Sequence, residues 1–545
     1  MIAAALLCDS SLARQTSPSN AAVTSVYGVD APCGKCHERI FQSYLQSRKA
    51  NASGPAVDGV EAGAFEHPAS GVQYRVSLEN KDVWLSYSRS GVDTLNGKQK
   101  LEYFLGSGNH ARTYLYSING YWFETPIAYY SRKHGYDMRP AYLNDKEMPF
   151  NLPVAASCLR CHMSAVQKED PGTRNHYSRL PFLHFGITCE ACHGDSAIHL
   201  ASAGKSPMVD PAKLDPERRD SVCISCHLEG DASVEHRSRA AVDYRPGDDY
   251  TGFVSSFVRA GADTTNRAVS QVEALSLSKC KRVSGDRMSC MSCHDPHRSI
   301  KPEERVEFYR SKCLACHAQP EYATAHYPAN RDCTSCHMPK SAPTDIPHEQ
   351  WTDHRILRQV SVAAFLPALS GDVTLVRVPA SSTQPSDRNL GLAYYDLVSD
   401  GDLSQSPRAR KLLENAEASD PADSTVLTAL GVLAELRNDR EKAYGFYKAA
   451  LTQNPNDYTA AMNCGVLLAR SGQLKLAADL WQNTFARNQD ITGLGMNLAS
   501  ARCTLGDKSA AEDILRRVLL YSPDHQSARR EIGAIESGRQ ACIAP

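Results

Sequence analysis

Fourteen of the nineteen cysteines fall in one pattern, two thiols three positions apart with a histidine directly after the second. The seven copies are Cys33/Cys36/His37, Cys158/Cys161/His162, Cys189/Cys192/His193, Cys223/Cys226/His227, Cys290/Cys293/His294, Cys313/Cys316/His317 and Cys333/Cys336/His337. C-x-x-C-H is the attachment signature of c-type haem. The chemistry accounts for the spacing. Two thiols at that separation reach the two vinyl groups of one porphyrin as thioethers, and the next residue ligates the iron from the proximal side. Zinc also takes C-x-x-C pairs, and Cys313/Cys316 and Cys333/Cys336 could share one metal. But zinc gives no reason for a His after every second Cys, and a thioredoxin-like redox pair does not need one. The pattern points to seven covalently bound haem c groups.

The second axial position of each iron separates electron transfer from chemistry at the metal. Outside the motifs and before residue 360 there are eleven histidines, against His525 alone in the C-terminal part. Spacing ranks them. His297 follows its motif by three residues, too few to fold back over its own ring but enough to reach a neighbouring haem. His199 follows Cys192-His193 in the same way. His348 and His354 come after the last motif, and His326 lies between the last two. His110 heads an expected strand, and His67 precedes Pro68-Ala-Ser-Gly71. These seven form the expected distal set, with His134, His176, His184 and His236 in reserve.

The elements that must position these residues change texture along the chain. Met1–Ala13 has a short apolar core and a small-residue end, and reads as a signal segment without a basic leader. Residues 14–359 form the expected seven-haem domain. Within it, Val72–Val76 and Val83–Tyr87 alternate like paired strands, and Asn119-Gly120 between apolar runs is a type I′ hairpin signal. A small β-rich insertion is expected there. From Cys158 to His337 hydrophobic periodicity is too sparse for a conventional core. Short helices carrying the motifs, joined by loops, must use the haems as their core, because burying apolar area stabilises at roughly 25 cal/mol per Å². Without haem this region should not fold.

Residues 360–388 read as a linker and 389–538 as an α-helical solenoid. Gly431, Gly465 and Ala499 recur at 34 residues, as do Ala443, Ala477 and Ala511, and Tyr447, Trp481 and Leu515. That is the tetratricopeptide period. Cys464 and Cys503 fall on first helices of repeats and read as small core residues. The fold class is thus mainly α, a haem-packed domain followed by a solenoid that buries its own faces. No later apolar run is long enough to span a bilayer. Lys and Arg, 60 together, balance 61 Asp and Glu, which argues against a general nucleic-acid or anionic-membrane role.

Residues 33 to about 358 resemble the bacterial multihaem cytochromes c related to cytochrome c554. The resemblance rests on Gly106-Ser-Gly-Asn-His-Ala-Arg112, Gly186-Ile-Thr-Cys-Glu-Ala-Cys-His-Gly194, Cys290-Met-Ser-Cys-His-Asp-Pro-His297, Cys333-Thr-Ser-Cys-His-Met-Pro339 and Thr352-Asp-His354. It implies an exported, periplasmic or extracellular electron-transfer protein, often with a tetratricopeptide tail. A related branch holds enzymes of nitrite, hydroxylamine and tetrathionate. The chain lacks the C-x-x-C-K attachment of one nitrite reductase group.

Three functions follow. The first is a carrier with mostly bis-histidine haems, whose solenoid docks a redox partner or a further copy. The second is an oxidoreductase of a small nitrogen or sulfur compound at one open haem, with Arg112, Lys133, Arg160, Arg174 or Tyr177 binding an oxyanion. The third is a purely structural scaffold whose haems only staple the fold. All three require the same cofactor load. Intact-mass spectrometry of the mature protein should show the polypeptide plus seven haems, and expression without a c-type maturation system should give degraded or unfolded protein. A stable zinc-bound product with no Soret band would return the motifs to zinc.

Overall fold

Alternation of apolar and polar residues builds the N-terminal half of the computed structural model, which describes residues 26–91, 94–260, 269–318, 332–341, 346, 351–358, 373–380, 384–538 and 542. The expected signal segment, His326, His348 and much of the expected linker lie outside these residues. Ten strands follow one another from Ser53 to Pro153: β1 (Ser53–Pro55), β2 (Gly63–His67), β3 (Val72–Glu79), β4 (Asp82–Arg89), β5 (Leu95–Leu101), β6 (Tyr103–Leu105), β7 (Ala111–Ile118), β8 (Tyr121–Tyr130), β9 (Gly135–Met138) and β10 (Leu152–Pro153). One antiparallel sheet has the order β2-β3-β4-β5 and a second the order β1-β6-β7-β8-β10, with β9 also on β8. The turn between β7 and β8 places Asn119 at φ 51° and Gly120 at φ 84°, the positive pair that a type I′ turn requires. Tyr74, Leu85, Tyr116, Phe123 and Phe150 fill the core between the sheets. The β-rich insertion is therefore not small. Two full sheets form because β8 is buried along its whole length and needs cover on both faces.

The motifs ride on short helices, as expected: Ala156–His162, Glu190–His193, Pro216–His227, Arg305–Leu314 and Cys333–His337. Asp215 caps Pro216–His227 by accepting from the Arg218 N–H at 3.0 Å, and Asp332 caps Cys333–His337 from the Thr334 N–H at 3.0 Å.

The solenoid runs from Asp387–Ser399 to Gln526–Glu536 in antiparallel helix pairs. Its small positions are contacts. A Cβ on Gly431 would overlap the Tyr447 ring, and one on Gly465 would overlap the Trp481 indole. Tyr447 and Trp481 are fully buried there. Cys464 is a core residue as read, but Cys503 is not a free one. It forms a disulfide with Cys542, with the Cα atoms 5.6 Å apart.

Nor is the expected linker only a linker. Leu375–Val378 pairs with Val254–Arg259, which also carries Ala232–Glu235, and this three-stranded sheet shares a core with the first repeat through Phe257, Leu375, Leu392 and Tyr394. At the other end the solenoid docks on the β sheets. Arg89 holds Asp524 with two hydrogen bonds, at 2.5 and 2.8 Å, and the Met148 N–H donates to the same carboxylate at 2.8 Å. Arg174 pairs with Asp490 at 2.8 Å. Tyr521 enters the sheet core edge-on to Tyr121. The Asp524 side chain is wholly buried, so losing its guanidinium leaves a buried charge with a backbone N–H. Arg89→Ala should cost about 3–5 kcal/mol in denaturant unfolding of the holoprotein. The Arg89→Ala/Asp524→Ala double variant should recover part of that loss.

Candidate haem-binding site

Short ladders and caps bring distant motifs together. Met163–Ser164 pairs with His184–Phe185, setting the second motif beside the third. Ser53 Oγ donates to the His162 carbonyl at 2.7 Å and accepts from the Gly186 N–H at 2.9 Å. Asp30 accepts from the Cys189 N–H at 3.0 Å, tying the first motif to the third. Between these segments opens a connected cavity of about 3050 Å³. Sites for one small ligand run to roughly 300–1,000 Å³, so this volume suits several large groups. Cysteines of five motifs line it: Cys33, Cys36, Cys161, Cys189, Cys192, Cys223, Cys226 and Cys290 among them.

The sixth and seventh motifs stand apart from this cavity. Neither His317 nor Cys336 lines the cavity. Arg305–Leu314 turns Phe308 and Tyr309 to the cavity and sets Cys313 against Cys333 of the next motif helix. His317 is exposed just beyond that helix, with its N–H donating to the Cys313 carbonyl at 2.9 Å. Cys336 is half-buried on Cys333–His337, with Ser335 Oγ 3.8 Å from its sulfur. The spacing of these two motifs is intact.

Three pairs of imidazoles face each other. The His193 and His297 rings lie 5.8 Å apart, tilted by 11°, with their Nε2 atoms 3.5 Å apart. His37 and His199 are 6.4 Å apart at 19°, and His294 and His354 are 6.2 Å apart at 29°. An ion bound by two imidazoles at about 2.0 Å each separates the nitrogens by about 4 Å and the ring centres by about 6 Å. All three pairs fit that spacing. In each, one member is a motif histidine and the other follows a different motif.

The remote nitrogens support the same orientation. Nδ1 contacts a backbone carbonyl in His193 (Val209, 2.8 Å), His199 (Ser206, 2.7 Å), His354 (Thr352, 2.9 Å) and His337 (Leu357, 2.6 Å). Such bonds fix the tautomer and leave Nε2 for a metal. Gln271 stands 3.4 Å from His227 Nδ1, and the Tyr309 hydroxyl 3.5 Å from His294 Nδ1. Burial, then the Lys49 charge, lowers His227 to about 4; burial, then His354, does the same for His294. Burial also lowers His162, His297 and His354. Neutral imidazoles keep the lone pair that iron needs.

His67 is placed otherwise. It is buried on β2 with Nδ1 2.8 Å from Ser70 Oγ and Nε2 3.1 Å from the Leu143 carbonyl, so both nitrogens are engaged. His110 lines the cavity and packs on Trp351 at 4.6 Å. Of the reserves, His184 and His236 line the cavity, His236 with its Nε2 2.8 Å from Ser255 Oγ, while His176 contacts Asp170 and His134 sits at φ 50° in the turn before β9. Of the five oxyanion candidates, Arg160 lines the cavity and donates to the Ser225 carbonyl at 3.2 Å. Arg112 is bound to the carbonyls of Asp58 and Gly59, Lys133 to Asp137 and Arg174 to Asp490, and Tyr177 is core. The sequence reading passed over the carbonyl anchors Ser206, Val209, Thr352 and Leu357. Backbone carbonyls carry no side-chain signal, so only the fold could reveal them.

The thiols meet in pairs across motifs without disulfides. Cys161 and Cys226 each point at the other segment's backbone, at 3.8 Å, and Cys33 and Cys189 converge with Asp30. That last group is the one convergent set of possible metal ligands among the described residues. Burial pushes Cys158 up to about 12, Cys192 to about 11 and Cys313 to about 12. Cys226 and Cys290 move the other way, lowered by the thiols of Cys161 and Cys223 that meet them. The site fits thioether attachment of haem, which supplies a one-electron iron couple when bound.

Three segments match family models: residues 129–194 match cytochrome c554 and c-prime, 283–321 the doubled CXXCH motif, and 399–458 the tetratricopeptide repeat. Together they match a multihaem cytochrome with tetratricopeptide repeats. No curated protein matches the chain. Solved structures similar to it include YrrB, a TPR protein with an unusual peptide-binding site, at 18% identity over 28% of this chain and 81% of that one, with a TM-score of 0.25. MamA is 17% identical over 25% of this chain and 80% of its own, with a TM-score of 0.24. A tetratricopeptide repeat protein from Parabacteroides merdae is 22% identical over 28% and 60%, with a TM-score of 0.25.

Thioether attachment has a direct chemical readout. After denaturation without reductant, iodoacetamide should label Cys280 and Cys464 but none of the fourteen motif cysteines, as read by peptide mass spectrometry. Labelling of the motif cysteines after treatment with a chelator would instead mark them as metal thiolates.

Proposed function

We propose that this protein is an exported c-type cytochrome whose seven covalent haems, mostly bis-histidine, pass electrons along a chain, with the solenoid docking a redox partner. The observation that carries the reading is the set of three opposed imidazole pairs, each joining two motif segments across one cavity. Two strong axial imidazoles leave iron low-spin and change little between redox states, which suits transfer over binding. The distal ligands of this reading are His199, His297 and His354, with His110 a further candidate at the cavity wall. Export is supported by the Cys503–Cys542 disulfide, since such bonds persist in oxidising compartments. Among the described residues no helix is long and apolar enough to cross a membrane. A partner would engage solenoid surface not already taken by the β sheets.

A second reading, an oxidoreductase of a small nitrogen or sulfur compound, draws on one observation. Among the described residues no imidazole makes a ring contact with His162 or His227. An open haem at either motif would have Arg160 close by, since Arg160 lies within the second motif and bonds the Ser225 carbonyl of the fourth.

EPR of the oxidised holoprotein tests both. His297→Ala should keep seven haems and convert one iron from low-spin to high-spin, whereas His67→Ala should leave the spectrum unchanged. A His297→Ala spectrum identical to the parent's would sink the bis-histidine chain. A high-spin signal in the parent that shifts on adding nitrite or hydroxylamine would favour the enzyme.

A further inference from the structure

Arg48 and Lys49 follow the helix Glu38–Leu45, and both line the haem cavity. Their backbone is fixed. The Lys49 carbonyl accepts from the N–H groups of Ala52 at 3.2 Å and Ile187 at 3.0 Å, and the Tyr44 hydroxyl donates to the Ile187 carbonyl. Some of the other cations lining the cavity have acid partners, Lys213 with Asp210 at 3.2 Å and Arg219 with Asp220 at 3.0 Å, and others hold backbone carbonyls, as Arg160 does Ser225 and Arg245 does Val242. Arg48 and Lys49 have no acid partner among the described residues. Both side chains are exposed, so an occupant of the cavity would displace water from them, and an unanswered cation in a low-dielectric site is costly. An occupant that carries its own anionic groups avoids that cost. Each haem brings two propionate carboxylates, so a haem-filled cavity supplies them.

We infer that Lys49, with Arg48 beside it, is the cationic seat for propionates of the haems attached at the third, fourth and fifth motifs, and that its charge raises their reduction potentials. This rests on the haem reading above. The reach to three motifs follows from place: the Lys49 carbonyl holds Ile187, two residues before Cys189, and Lys49 lines the same cavity as Cys192 of the third motif, Cys226 and His227 of the fourth, and Cys290 and His294 of the fifth. The sign follows from charge. Reduction takes a ferric haem to ferrous and removes one positive charge from the site. A nearby cation repels the ferric form more than the ferrous, so it favours the reduced state. A propionate paired to that cation loses part of its own opposite effect.

The test is spectroelectrochemical titration of the full-length holoprotein, followed in the haem bands, for the parent, Lys49→Gln and Lys49→Arg. Lys49→Gln should keep the parent's haem count and EPR spectrum, and should move part of the titration curve to lower potential. Lys49→Arg, which retains the charge, should follow the parent. A Lys49→Gln curve superimposed on that of a seven-haem parent would overturn the seat and leave the haem reading intact. A new high-spin signal in Lys49→Gln would also overturn it, because Lys49 would then be an axial ligand. A parent without haem would remove both.

Discussion

Opposed imidazoles are the one interaction that joins motif segments far apart in the middle of this molecule by their chemistry rather than by a continuous core. Among the described residues from Cys158 to His337 the apolar clusters are separate, one against the β sheets with Leu159, Phe182 and Phe185 and another of Ile224, Ala241, Tyr250 and Val254. What the segments share is the facing of histidines that lie far apart in sequence, such as His193 and His297, separated by 104 positions. An ion held between two such rings closes a long loop. The chain entropy of that closure grows only slowly with loop length, so a few ligand pairs can organise a large stretch. Where ligand geometry exists only in the folded chain, binding free energy becomes folding free energy.

A site built this way needs rigid edges, and the rest of the fold supplies them. The β sheets hold Ser53 against His162 and Gly186, and so position two motifs from a frame with its own core. The solenoid is clamped at both ends. Its first repeat shares a core with Phe257 and Leu375, and its last repeats bury Asp490 and Asp524 against Arg174 and Arg89. Desolvation raises the Asp490 pKa, with Arg174 opposing it. The attraction of Arg174 thus works against the cost of burying the Asp490 charge. Tetratricopeptide helices need one another to bury their faces. Here the loops between them also bind the chain's own sheets.

Local patterns were legible in the sequence and long-range pairings were not. The motif spacing, the 34-residue period and the Asn119-Gly120 turn are each specified by neighbours, and each has a physical reason at that range. His67 and His354 look equivalent on paper, yet Ser70 and Leu143 occupy both nitrogens of one while a single carbonyl orients the other toward His294. Leu375–Val378 was hidden for a similar reason. A short apolar run beside a Pro reads as a connector until its partner strand, far back in the chain, is known. Cys503 sat on a repeat position where a small core residue suffices, so its bond to Cys542 left no local mark. Identical motifs likewise hid the difference between His193, which faces the cavity, and His317, which does not.

The contacts between thiols also reorder the motifs. Cys33 meets Cys189, Cys161 meets Cys226, Cys223 meets Cys290, and Cys313 meets Cys333. Cys293, Cys316 and the unattached Cys280 lie close enough to influence one another. In space the first motif therefore neighbours the third, the fourth neighbours both the second and the fifth, and the sixth leads to the seventh. Cys192 also feels Cys226, which joins the third motif to the fourth. With a haem on each motif the fourth becomes a junction of three branches, and the second motif forms a side arm toward the β sheets. The third motif has further neighbours of its own, in the second through the pairing of Met163–Ser164 with His184–Phe185 and in the fifth through His193 and His297. The motifs thus form a branched cluster rather than a line, and their order in space departs from their order in the chain.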